Sequence, residues 1–167
     1  MSAYAVVLLA FAQVAATLTG FIGVVFVLGE RQRGQLTAYE SSALFHLLYS
    51  ALAALFVSLI TTVLLVSSAT NEHTAWQIGN GLSGLVHLTG AGRLMVEMRQ
   101  QKGGIQKGLA ASSIGIATAG VSFVAAGGYL IRQEALVFML ATIWALGVTV
   151  IAFVSLLLSA REAEGSE

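Results

Sequence analysis

The chain has 167 residues, of which 57% are hydrophobic and only 10% charged, and its formal net charge is zero. Soluble domains carry about a quarter charged residues, so this composition points to a membrane protein, and the neutral balance argues against a general nucleic-acid binder. Cys and Pro are absent and all eight acids are Glu, which excludes disulfides, thiolate zinc sites, thiol catalysis and proline kinks.

Five apolar runs follow one another between short polar clusters. The first spans about Tyr4 to Leu28 and stops at the charged GERQRGQ. The second spans about Ser41 to Val66 and ends at SSATNEH; the third spans about Ala75 to Val96 and runs into EMRQQKGGIQKG. The fourth spans about Leu109 to Ile131, and RQE separates it from the fifth, Ala135 to Ser159. About 20 residues cross the hydrocarbon layer, and each run is long enough. The expected fold is therefore all-α: an integral membrane bundle of five transmembrane helices, a single domain over residues 1–167. The N-terminus lacks the basic region of a signal peptide and its apolar run is too long for one, so the first helix reads as a retained anchor.

Basic residues set the expected orientation. Arg31, Arg33, Arg93, Arg99, Lys102, Lys107 and Arg161 fall on one side of a five-crossing topology, and Arg132 alone falls on the other. The positive-inside rule makes the rich side cytoplasmic. The N-terminus is then outside and the C-terminus inside.

In the third run, GNGLSG (Gly79 to Gly84) spells the glycine fingerprint of a dinucleotide-binding turn. That fingerprint has a mechanism only after a strand and at the start of a helix. Here a polar loop and Trp76 precede it and no βαβ unit follows, so no nucleotide is expected. Small residues in membrane helices instead let backbones approach closely. Gly20 and Gly23 in the first helix, Gly84 in the third and Gly115 in the fourth read as packing positions. Such faces also hold copies of a chain together.

The polar groups inside the runs are the pointers to function. Asn80, Ser83, Gly84, His87, Gly90, Ala91 and Leu94 share one face of the third helix, with Glu97 near its end and Ile78, Leu82, Leu85 and Val96 opposite. Ser42, His46, Tyr49, Ser50, Ala53, Val57 and Thr61 form a second stripe, and Gln13 and Thr17 lie four apart in the first helix. Three readings remain open. The histidines are satisfied within a packed bundle, or the stripes line a wet path on which His87 and His46 relay protons or select ions, or both ligate haem. The last requires similar depths, whereas His46 lies roughly 10 Å from the level of His87 at 1.5 Å per residue. No metal site is expected, for there is no short ligand spacing such as H-x-x-x-H. No nucleophile has a recognisable base, so no enzyme is expected.

TLTGFIGVVFVLGER, Thr17 to Arg31, resembles the first helix of a loose group of small uncharacterised bacterial multi-pass membrane proteins. Thr19, Gly20, Phe21, Gly23, Leu28 and Gly29 carry the likeness, and Trp76 and Trp144 are similar in placement. The resemblance implies a bacterial inner-membrane location and no particular activity. The expectation is a homo-oligomeric channel or transporter for a small ion or protons; the alternative is a non-catalytic scaffold subunit of a larger membrane complex. The expected partners are the lipid bilayer and further copies or complex subunits, with no cofactor.

Overall fold

The computed structural model describes residues 3–33, 38–100, 105–130 and 133–164, and the side chains of 3–26, 41–96, 112–130 and 133–154. Five α-helices make up the fold: α1 (Ala3–Arg33), α2 (Ala38–Val66), α3 (Glu72–Gln100), α4 (Ile105–Ala126) and α5 (Glu134–Glu164). No strand occurs among the described residues. GNGLSG lies wholly inside α3, so the glycine fingerprint has no strand before it.

Three helices are long and apolar enough to cross a membrane: Ala3–Phe26, Ser41–Val66 and Glu134–Val154. In α4 the described apolar stretch is the shorter Ser112–Ala126. The chain was expected to remain helical to Ile131, but α4 ends at Ala126. The Gly128 amide bonds to the Ala125 carbonyl at 3.0 Å, and that of Tyr129 to Val124 at 3.3 Å. Gly128 has φ +79°, a left-handed conformation open to glycine at no steric cost. This pair of bonds around a left-handed glycine is the Schellman stop, and it overrides an apolar run that has no other reason to end. At the start of α3, the Asn71 side chain accepts the Thr74 amide at 2.7 Å, which satisfies one of the free N-terminal donors.

Consecutive helices run antiparallel, and α3 and α5 run parallel. α2 has α1, α3 and α5 around it, while α4 packs chiefly on α3. The buried face of α1 is Ala5, Leu8, Ala12, Ala15 and Ile22, the helical spacing of one stripe. Leu8, Val57, Trp76 and Phe138 bring four helices together in one apolar cluster. Ala15, Ala54 and Ala145 form a second, where α1, α2 and α5 meet. The outward faces are aliphatic: Ile78, Leu85 and Val96 of α3 are exposed, as the wheel required, but Leu82 packs against the Trp76 cluster instead.

Candidate functional site: a buried polar column

The site is built on α3. At the end of the bundle marked by Trp76, the Trp76 ring packs edge-on to Tyr4 at 5.4 Å and tilts against Phe138 at 5.7 Å. Its indole N–H donates to Glu72 Oε1 at 3.4 Å. One turn further along α3, Asn80 is completely buried. Its Nδ2 donates to the carbonyls of Trp76 and Glu134, both at 3.0 Å. One amide thus ties α3 to the first turn of α5. The Glu134 side chain is only 3% exposed, yet its Oε2 lies 2.8 Å from Nδ1 of His73, whose side chain is 41% exposed. A buried carboxylate is thus in contact with a partly exposed imidazole.

Deeper along α3, Ser83 is buried and His87 half-buried. His87 Nδ1 lies 2.8 Å from the Ser83 carbonyl oxygen. A carbonyl only accepts, so Nδ1 carries the proton, and in the neutral ring Nε2 is an acceptor. That Nε2 is buried and makes no hydrogen bond of ordinary geometry, and the Ala141 backbone of α5 also lies against the ring. Ser58 Oγ and Thr61 Oγ1 of α2, Asn80 Oδ1, Ser112 Oγ and Ser122 Oγ of α4, and Glu134 Oε1 are likewise buried without such a bond. The contrast with other hydroxyls is informative. Thr62, Thr142 and Thr149 each donate to the carbonyl four residues earlier, at 2.8, 2.9 and 3.0 Å. Ser58, Thr61, Ser112 and Ser122 do not. A buried polar atom left unpaired costs about 1–3 kcal/mol, and native proteins carry only a few per hundred residues. Here they gather on the inward faces of α2, α3 and α4 and at the head of α5.

Toward the opposite end, Tyr49 donates its hydroxyl to the Val86 carbonyl at 3.1 Å and also contacts Thr89 Oγ1. Tyr49 stacks on Phe45, over whose ring the Arg93 guanidinium lies at 3.4 Å. That cation–π contact pins the far end of α3 to α2. Half-buried His46 sits edge-on to Phe45. With Thr61 against Gly79 and Tyr49 against Gly90, His87 is level with about residue 52 of α2. His46 is then about six residues away along the axis, roughly 9 Å. The two histidines do not meet across a common ligand. Among the described residues, no group of three His, Asp or Glu side chains is placed to hold a metal.

Asn80, Ser83 and His87 thus fall in one column, with Tyr49 and His46 bordering its Arg93 end. Gln13 lies apart: it is on the exposed face of α1, as is Thr17, whose hydroxyl donates to the Gln13 carbonyl at 2.9 Å. The side chain of Glu97 lies outside the described residues. Among the packing glycines, a Cβ on Gly84 would meet the Phe123 ring at 3.0 Å and one on Gly115 the Ala91 Cβ at 3.2 Å. Gly20 and Gly23 have no neighbour within 4 Å of such a Cβ. Glu134, His73 and Ser58 were not singled out from the sequence. Glu134 was readable, since Glu134, Phe138, Ala141, Ala145 and Thr149 recur at helical spacing on the buried face of α5. The chain matches no protein-family model, and comparison with curated proteins and with solved structures returns no match either.

Proposed function

We propose that this chain is a multi-pass protein of the bacterial inner membrane, with five crossing helices, its N-terminus outside and its C-terminus cytoplasmic. In this reading it works as a homo-oligomer that passes protons or a small ion along the column on α3. The observation that carries the proposal is the set of buried polar atoms that make no hydrogen bond of ordinary geometry, from Glu134 Oε1 and Asn80 Oδ1 to His87 Nε2. Groups of this kind hold water or a transported species in place of a protein partner. Polar side chains retained in apolar helices mark pathways, and a histidine held between backbone groups of two helices is suited to relay.

Protein purified and reconstituted in liposomes is expected to dissipate an imposed proton or alkali-cation gradient. His87→Ala is expected to change the rate by about tenfold, equivalent to about 1.4 kcal/mol in the barrier. A folded preparation with no flux of protons, sodium, potassium or chloride would overturn the proposal. A stable complex with other membrane proteins, in which His87 tolerates substitution, would replace it with the scaffold reading.

A further inference from the structure

We propose that Glu134 is a proton-binding site at the Trp76 end of the column, loaded from the aqueous side through His73. The inference rests on the proton-conducting form of the reading above and supplies the group at which a proton is taken up. Its basis is geometric. The carboxylate is 3% exposed and the imidazole touching it is 41% exposed, with 2.8 Å between Oε2 and Nδ1. The second oxygen, Oε1, is buried with no protein partner. An ionised carboxylate in an apolar interior needs its lone pairs satisfied; this one has a single side-chain contact, to an imidazole that can carry a proton on either ring nitrogen.

Among the described side chains, the charged group at this end of the bundle besides Glu134 and His73 is the Glu72 carboxylate. On α3, Glu72 is engaged by the Trp76 indole. α1 contributes Tyr4, which packs on Trp76. α2 contributes the uncharged Ser58 and Thr61. In the turn after α4, Tyr129 is 84% exposed. That turn also leaves room for the imidazole: a Cβ on Gly128 would lie 2.9 Å from Gln77 Nε2 and 3.9 Å from His73 Nε2.

The transfer balances without any co-reactant. A proton from water binds His73 Nε2, and the Nδ1 proton passes to Glu134 Oε2. The ring ends neutral with its proton on Nε2, and the carboxylate becomes a neutral carboxylic acid. Asn80 holds the Glu134 backbone carbonyl at 3.0 Å, which fixes the head of α5 while the side chain changes charge. Half a turn of the carboxyl group then carries the proton from the His73 side to the side that Oε1 occupied, from which it is released along the column.

The test uses the full chain in liposomes and two readouts. Infrared difference spectra between acidic and alkaline buffer are expected to show a buried carboxylic acid band that Glu134→Gln removes. The same substitution is expected to lower proton flux at least about tenfold, the loss of one relay station of about 1.4 kcal/mol. His73→Ala is expected to slow flux, and imidazole added on the Trp76 side to restore it, which a structural ion pair does not do. Wild-type flux in Glu134→Gln, or a carboxylic acid band that His73→Ala leaves unchanged in both position and rate of appearance, overturns the site. If Glu134→Gln does not fold, imidazole rescue of His73→Ala decides: rescue supports it and unaltered flux overturns it. If the wild type carries no flux at all, the transport reading fails, while the band and its dependence on His73 still decide whether Glu134 takes up a proton.

Discussion

Asn80 and Ser50 show two ways in which one polar side chain ties helices together. Asn80 spends both amide protons on carbonyls of α3 and α5. Ser50 Oγ lies 2.6 Å from Thr149 Oγ1, a hydroxyl pair joining α2 to α5, and it also contacts the His46 carbonyl at 2.8 Å. Each of the two hydroxyls has a carbonyl of its own helix to fall back on, so the cross-helix bond is replaceable. A double-mutant cycle with Ser50→Ala and Thr149→Ala is expected to give a coupling of about 0.6 kcal/mol in unfolding free energy, the average for such bonds in membranes. A coupling above about 2 kcal/mol would mean that the pair is a main clamp of the bundle. At this scale the helical period made Asn80, Ser83 and His87 legible, because they recur on one face of α3. Gln13 obeyed the same arithmetic and yet faces outward. A wheel orders residues around one helix and does not say which side its neighbours occupy.

The helices carry a different lesson. Run lengths located all five helices, although only α1, α2 and α5 carry stretches long and apolar enough to cross a membrane. The ends were less legible. α4 stops at a left-handed Gly128 because two backbone bonds close there, not because its hydropathy falls. The glycines differ likewise. Gly115 brings α4 so near α3 that the Ala91 Cβ would lie 3.2 Å from an added Cβ. Ala91 is fixed by its own backbone and cannot swing aside, whereas the Phe123 ring opposite Gly84 is 42% exposed and can. Gly115→Val is therefore expected to cost about 1–3 kcal/mol, read as a lowered unfolding midpoint in detergent, and Gly84→Ala much less. Equal losses at the two positions would contradict this difference in give.

For the whole molecule, the proposed homo-oligomer finds its best surface on α1. Gln13 lies at the middle of the apolar span Ala3–Phe26 and points away from the bundle with Thr17 and Gly20. An amide both donates and accepts, so two copies related by an axis along the membrane normal satisfy each other at the same depth. Open space beside Gly20 permits the close approach. The chain has no Cys, so a single Gln13→Cys or Gly20→Cys reports cleanly. Both are expected to form disulfide-linked dimers on oxidation in membranes, and Val63→Cys, 67% exposed on α2, is not. Absence of dimers at both α1 positions would exclude this face.

The parallel course of α3 and α5 has an electrical consequence. Both helices present the positive ends of their peptide dipoles at the Trp76 end. Glu72 and Glu134, their first residues, sit against those ends, and Arg93 lies toward the other end of α3. Side-chain charge and backbone polarisation thus oppose each other along the axis, which lowers the cost of holding two aligned dipoles side by side. In the proposed reading, a proton on Glu134 removes one of the two balancing acids. Such a change in axial charge is the quantity on which a transmembrane voltage acts, so the bundle's response to pH and to membrane potential would run through the same carboxylate.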